Sequence, residues 1–182
     1  MSKLALIVVT FNTPVITDFL KSLNRQSDSD FHLYVVDVSN NNRSLPLKTK
    51  NTTLLYSNNK GYAAGVNHGL KAAITDGLEL FCVINDDTYF EKEFIKNARK
   101  SLMTHPGSLV GGKIYYAPGY EYHKDRYDKK DLGRVLWYSG GEIDWNHSQT
   151  KHRGVDEVDN GQFNKEGSTE FITGCLMMFD KN

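Results

Sequence analysis

Apolar residues fall along the first hundred positions in short blocks that alternate between two rhythms. Leu4 to Val9 is unbroken and rich in β-branched side chains, as in a strand covered on both faces of a parallel sheet. It stops at Thr10-Phe11-Asn12-Thr13-Pro14, after which Val15, Ile16, Phe19, Leu20 and Leu23 recur at helical spacing. Thr13 suits the cap of that helix and Pro14 its first position. Phe31 to Val38 is the next strand, ending in Asp37, and the polar cluster Ser39 to Arg43 cannot continue it. Thr52 to Tyr56 is a third strand. From Gly61 to Ile74, Val66, Leu70 and Ile74 keep a helical period among glycines and alanines whose size implies close packing. Leu78 to Ile84 again reads as a buried strand, closing in Asn85-Asp86-Asp87-Thr88 before a patterned helix from Glu91 to Met103. Glu91 and Glu93 suit the N-terminal end of that helix.

This alternation predicts an α/β sandwich with right-handed crossovers, which places Asn12, Asp37 and Asp87 at one edge of the sheet. Ligands of open α/β sheets bind outside the carboxyl ends of the strands, so that edge is the candidate site. After the helix the pattern loosens. Leu109 to Tyr116 reads as a strand, Pro118 to Arg134 is charged and Tyr-rich, and Val135 to Asp144 suggests a hairpin or bulge at Gly140-Gly141. His147 to Gly167 reads as a polar loop, with His152 a solvated loop histidine. Glu170 to Phe179 is a last apolar strand broken by Thr173-Gly174. The 182 residues fit one domain with its own core, and no repeat or linker divides them.

Charge narrows the partners. Lys and Arg total 22 and Asp and Glu total 22, which leaves no broad basic field for nucleic acid. Cys82 and Cys175 lie in apolar runs and read as free thiols of a reducing compartment. The early apolar run lacks the features of a signal peptide, and no stretch approaches the roughly 18 apolar residues of a membrane span. The chain is expected to be soluble, with any membrane association peripheral. Six histidines without paired ligand spacing make no case for zinc.

Asn85-Asp86-Asp87-Thr88 is the sharpest chemical feature, two adjacent carboxylates exposed by a turn after an apolar strand. A hard divalent cation needs only one or two carboxylates when a diphosphate supplies other oxygens. Taken alone, the same residues end a strand and cap the next helix. Asp37 can accept a hydrogen bond from a base or ribose, or simply form a turn. Phe11 can stack on a base, or pack. Asn58-Asn59-Lys60-Gly61-Tyr62-Ala63-Ala64-Gly65-Val66-Asn67-His68-Gly69 opens a helix with small residues that allow close approach of an anion. It is neither the phosphate loop ending in Gly-Lys-Ser/Thr nor the Gly-x-Gly-x-x-Gly fingerprint, which disfavours nucleotide triphosphatases and dehydrogenases.

Together these segments resemble inverting glycosyltransferase family 2, in particular its rhamnosyltransferase-like members. The resemblance rests on Val8-Val9-Thr10-Phe11-Asn12, Val35-Val36-Asp37-Val38-Ser39, Asn59-Lys60-Gly61-Tyr62-Ala63-Ala64-Gly65-Val66-Asn67, Asn85-Asp86-Asp87-Thr88, Trp137-Tyr138-Ser139-Gly140-Gly141 and Thr173-Gly174-Cys175, in order over nearly the whole chain. It implies a GT-A fold, a Rossmann-like three-layer α/β sandwich with a mixed, mainly parallel sheet. Residues 1–104 would form the nucleotide-binding half of a single domain and residues 105–182 the start of the acceptor-side half. Thr10, Asn12 and Asp37 resemble the base and ribose pocket, with Phe11 beside them. Gly61, Ala64 and Asn67 resemble the segment closing over the nucleotide. Asp87 stands at the metal-contacting aspartate, which implies Mg²⁺ or Mn²⁺. Asn85 and Asp86 stand where relatives carry variants of an Asp-x-Asp triad, Asp86 replacing the usual proline, and Val38 replaces the usual Asn. Trp137, Gly140, Gly141, Thr173 and Gly174 would border the acceptor.

Inverting transfer needs a base for the acceptor hydroxyl and charge neutralisation on the departing diphosphate. The family's base resembles an Asp in a Glu-Asp or Asp-Asp motif downstream of the Thr-Gly strand. The expectation is therefore a catalytic domain incomplete at its C-terminus that keeps the donor site and lacks the usual base, with the catalytic residue unassigned and Glu142, Asp144, Glu170 or Asp180 a substitute only if the fold brings one near the sugar. The resemblance implies a nucleoside-diphosphate sugar donor such as deoxythymidine-diphosphate rhamnose and a glycan or lipid-linked acceptor. Bacterial polysaccharide and cell-wall assembly at the cytoplasmic face of the membrane is the implied setting. Two other readings stand beside it. A sugar nucleotidyltransferase would carry a Gly-rich basic loop after the first strand, which Thr10 to Pro14 lacks. A non-catalytic sugar-nucleotide or glycan-binding module would need no base.

Overall fold

The computed structural model describes residues 2–12, 14–39, 45 and 51–182. The described residues form two compact units, one running to Val110 and resuming over Gly174–Asn182, the other spanning Gly111–Thr173. The sequence reading divides the chain at 104/105 instead, and it does not foresee the return of the last strand to the first unit.

In the first unit β1 (Leu4–Thr10), β2 (Phe31–Asp37), β3 (Thr52–Tyr56), β4 (Leu80–Ile84) and β9 (Leu176–Asp180) form a sheet of order β3-β2-β1-β4-β9. The first four are parallel, and β9 runs antiparallel to β4. Helices α1 (Ile16–Leu23), α2 (Tyr62–Thr75) and α3 (Phe94–Thr104) complete it. Strand β1 is buried along almost its whole length, as its unbroken apolar run requires of a central strand. The connection from β1 to β2 steps one way across the sheet, while that from β3 to β4 steps back past β1. With right-handed crossovers this reversal puts α1 and α2 on opposite faces and makes the β1/β4 boundary a topological switch point.

Alternation along the strands sorts the core. Ala5, Ile7, Tyr34, Phe81 and Val83 pack with Val66 and Ala73 of α2. Gly65 and Gly69 explain how closely that helix lies. A Cβ on Gly65 would sit 2.8 Å from Val9 Cγ1, and one on Gly69 2.6 Å from Ile7 Cγ2.

Several boundaries differ from the sequence reading. Thr13 falls outside the described residues. Helix α1 starts at Ile16, with Pro14 in the turn before it, its carbonyl accepting the Thr17 N–H at 3.4 Å. Helix α3 starts at Phe94 rather than Glu91, because Gln26 holds the preceding turn. Gln26 Nε2 donates to the Glu91 carbonyl at 2.7 Å, and Gln26 Oε1 accepts the Ile95 N–H at 2.9 Å.

In the second unit the expected strand Leu109 to Tyr116 shrinks to β5 (Ile114–Tyr115), paired with β6 (Leu136–Tyr138). Val110 belongs to the first unit and bridges to Met178. The expected polar loop His147 to Gly167 contains β8 (Gln149–His152), which forms an antiparallel hairpin with β7 (Gly141–Asp144). Its side chains are mostly exposed, so no apolar alternation betrays it. The last strand begins at Leu176, and Phe171 only bridges to Gly141.

Candidate functional site

Strands β1 and β2 end together, with Thr10 opposite Asp37 in the parallel register. Both residues are fully buried, although each carries polar atoms. Asp37 Oδ1 accepts the Ser39 N–H at 2.9 Å, and Ser39 Oγ accepts the Asn12 N–H at 2.9 Å. The Thr10 carbonyl accepts the Val38 N–H at 3.0 Å. These bonds tie the loops after β1 and β2 together and hold Asn12 at φ 49°. Thr10 Oγ1 and Asp37 Oδ2 are left buried without a hydrogen-bond partner among the described residues. Each such atom costs about 1–3 kcal/mol unless a ligand or water pairs with it. Phe11, one residue along, is half exposed.

Across the switch point, α2 opens from Gly61 at φ 93°, whose N–H donates to Asn59 Oδ1 at 3.0 Å. No heavy atom lies within 4 Å of a Cβ built on Gly61, so the space beside it is open. The amides of the first turn have no intrahelical acceptor, the condition in which a helix start binds an anion. Ala64 and Asn67 are exposed, whereas Gly65 is used up against Val9.

Strand β4 ends at Ile84, and the Asn85 N–H still pairs with the Cys175 carbonyl at 3.1 Å. The chain then turns at Asp86-Asp87, and Thr88 Oγ1 donates to the Asn85 carbonyl at 2.8 Å. These acidic residues do not cap the next helix, whose flanking position is Glu93. Asp86 is half-buried and Asp87 exposed.

Tyr62, which the sequence reading passes over, links three of the quoted segments. Its hydroxyl donates to Asn85 Oδ1 at 3.2 Å and lies 3.3 Å from the Gly174 carbonyl oxygen. Desolvation, then Cys175, Asp86, Cys82 and Asp87, push the phenol up to about 12. Burial and then Asp87 push the Cys175 thiol up to about 11. A tyrosine at a helix start reads as packing, so only its position inside a quoted segment could have marked it.

Among the described residues no group of three or more His, Cys, Asp or Glu could hold a metal ion. A hard cation beside Asp87 would thus have to take most of its oxygens from a substrate phosphate and water, not from an all-protein cage. The negative charge felt by Tyr62 and Cys175 is the favourable field for such a cation.

Of the residues expected to border the acceptor, Trp137, Gly140, Gly141 and Thr173 lie in the second unit and Gly174 in the first. Trp137 is half-buried and meets the His152 ring edge-on at 4.5 Å, and His152 Nδ1 lies 3.0 Å from the Trp137 carbonyl oxygen. His152 is thus a packed strand residue, not a solvated loop histidine. A Cβ on Gly141 would sit 2.4 Å from the Phe171 ring, and one on Gly140, at φ 129°, 3.2 Å from the Arg153 guanidinium carbon. Both glycines therefore make room for neighbours. The four carboxylates weighed as base are all engaged locally. Asp144 accepts the Asn146 and His147 N–H groups, and Glu170 Oε2 the Ile143 N–H at 2.6 Å. Glu142 lies 3.4 Å from Arg153, and Asp180 accepts the Gly107 N–H at 2.9 Å.

Comparison with known proteins agrees with this architecture. S. aureus TarS 1-349, solved in complex with UDP-GlcNAc, is 26% identical at a TM-score of 0.50, covering 62% of this chain and 34% of its own. Mannosyltransferase PcManGT from Pyrobaculum calidifontis, solved with GDP-Man and Mn²⁺, is 14% identical at a TM-score of 0.56. It covers 99% of this chain and 45% of its own, and that likeness concerns the fold. The chain thus spans between a third and a half of the length of these two structures. No curated protein matches it. The fold is the GT-A fold, α/β with a mixed, mainly parallel sheet. The model of the family described as "Glycosyl transferase family 2" matches residues 5–182, nearly the whole sequence, and the chain belongs to that family.

Proposed function

We propose that the carboxyl edge of the sheet binds a nucleoside-diphosphate sugar and serves inverting transfer of the sugar to a glycan or lipid-linked acceptor. One observation carries this reading: Thr10 Oγ1 and Asp37 Oδ2 are buried in register beside each other without partners among the described residues, next to the half-exposed ring of Phe11. An acceptor-only carboxylate oxygen and a hydroxyl are suited to the N–H of a base and the hydroxyl of a ribose, and an aromatic face to the base itself. The TarS neighbour, with its bound UDP-GlcNAc, supports a donor of this class.

Asn12, held by Ser39, shapes the base pocket with Thr10 and Asp37. Gly61, Ala64 and Asn67 border the diphosphate, with the free amides at the start of α2 offering donors to it. Asn85, oriented by Tyr62 and Thr88, sets the turn that presents Asp86 and Asp87. Asp87 is the carboxylate that would hold Mg²⁺ or Mn²⁺. When bound, the cation neutralises charge on the diphosphate leaving group. Trp137, Gly140, Gly141 and Thr173 of the second unit and Gly174 of the first are the proposed acceptor-side residues, Gly141 admitting Phe171 and Gly140 admitting Arg153 close to the backbone. The base for the acceptor hydroxyl is left unassigned, and Glu142, Asp144, Glu170 and Asp180 each make a local contact. Deoxythymidine-diphosphate rhamnose is the proposed donor, polysaccharide assembly on the cytoplasmic side of a membrane the proposed setting.

Calorimetric titration of dTDP, UDP and GDP, each with and without Mn²⁺, tests the pocket. Asp37→Asn is expected to weaken the preferred nucleotide about tenfold or more, the cost of losing one charge-assisted hydrogen bond in a buried site. Unchanged affinity in Asp37→Asn would remove the base-and-ribose assignment.

A further inference from the structure

We infer that the tip of the β7–β8 hairpin is a carbohydrate contact separate from the donor pocket, where Trp145 offers its ring face to a neutral saccharide. Trp145 is 76% exposed, while the other tryptophan, Trp137, packs on His152. Leaving an indole in water forfeits the burial that such a large side chain would otherwise gain.

The turn that carries this ring is ordered by its neighbours. Asp144 Oδ1 accepts the Asn146 N–H at 3.0 Å and the His147 N–H at 3.2 Å, while Asp144 Oδ2 lies 2.7 Å from His147 Nδ1. Ser148 closes the turn at φ 52°. Three contacts thus order the turn that carries one exposed aromatic, and an ordered backbone loses less entropy on binding.

The chemistry around Trp145 selects the occupant. Residues 143–150 contain no Lys or Arg and carry Asp144, so an anionic lipid surface would be repelled rather than drawn in. The tip offers no second exposed large apolar side chain to insert with the indole. Asn146, His147, Ser148, Gln149 and Thr150 are all exposed, and their amide, imidazole and hydroxyl groups both donate and accept. A flat aromatic face ringed by such groups matches a sugar, which has C–H groups on one face and hydroxyls around its rim. The inference rests on the second unit alone, so it stands or falls apart from the donor reading.

The test uses the full chain, wild type and the variants Trp145→Ala and Trp145→Phe. Neutral linear hexasaccharides of rhamnose, mannose, glucose and N-acetylglucosamine are titrated while tryptophan emission and heat are followed. The expected result is binding of at least one hexasaccharide, weakened about tenfold or more in Trp145→Ala and partly retained in Trp145→Phe. Nucleotide affinity and the urea midpoint should stay the same in all three proteins. The inference is overturned if no hexasaccharide binds or if Trp145→Ala binds as tightly as wild type. It is equally overturned if the substitution instead abolishes sedimentation with phosphatidylcholine/phosphatidylglycerol vesicles. Loss of nucleotide binding in the wild type, with saccharide binding intact, would count against the donor pocket only.

Discussion

At the scale of single residues, the edge of the sheet is organised by side chains that serve each other before they serve a ligand. Tyr62 ties the start of α2 to Asn85 and to the backbone at Gly174. Tyr62→Phe keeps the ring and loses these bonds. It should lower stability by about 0.5–1.5 kcal/mol and weaken nucleotide binding, seen as a lower urea midpoint and a calorimetric loss. Unchanged binding with lowered stability would make Tyr62 purely structural. The placement of Thr10, Asn12, Asp37, Asn85, Asp86 and Asp87 at the ends of β1, β2 and β4 was legible in the sequence because each ends or follows an apolar run, where a polar residue stands out. Tyr62 was not, since its role depends on a hydroxyl reaching across to residues 23 and 112 positions away.

At the scale of elements, close packing and remote capping decide where helices lie and begin. Gly69→Ala gains about 1 kcal/mol of helix propensity but drives a Cβ to 2.6 Å from the β-branched Ile7, which has no free rotamer to retreat into. Overpacking of about 1–3 kcal/mol should win, so a net destabilisation is expected in urea unfolding. Stabilisation would show that α2 can lift off the sheet. Gln26 acts as a remote cap for α3, and Gln26→Ala should cost about 1–2 kcal/mol by the same measurement. This cap also explains the misplaced helix start. Phe90 and Phe94 are four residues apart and their rings meet at 4.6 Å, a helical spacing in the sequence. The turn between them is instead pinned by a residue from the end of α1, which no local pattern announces. Strand β8 of the β7–β8 hairpin was missed for the opposite reason, that its side chains are mostly exposed and no apolar alternation marks them.

At the scale of the whole molecule, the second compact unit carries an acid response of its own. In the second unit Asp159 takes a hydrogen bond and ion pair from Lys113 at 2.6 Å and a hydrogen bond from Tyr115. These contacts, Lys113 first, bring its carboxyl down to about 2 from an ordinary 3.8. A folded pKa below the unfolded one stabilises above about pH 4 and is lost as pH falls through about 2, a contribution of about 2 kcal/mol. Asp159→Asn should therefore be less stable at pH 6 and should flatten the fall in urea midpoint between pH 4 and 2. An equally steep fall would contradict the assignment. A mainly parallel sheet and its carboxyl edge were readable from the alternation of apolar strands with helices, and family membership from six motifs in order along the chain. The division into units was not, because β9 returns to pair with β4 and only the Cα register reveals that partner.

The most direct measurement is a crystal structure of the chain soaked with a nucleoside-diphosphate sugar and Mn²⁺. The expected result is base and ribose against Thr10 and Asp37, with the diphosphate between the start of α2 and a cation on Asp87. A nucleotide bound elsewhere, with Asp37 Oδ2 still unpaired and no cation at Asp87, would contradict it.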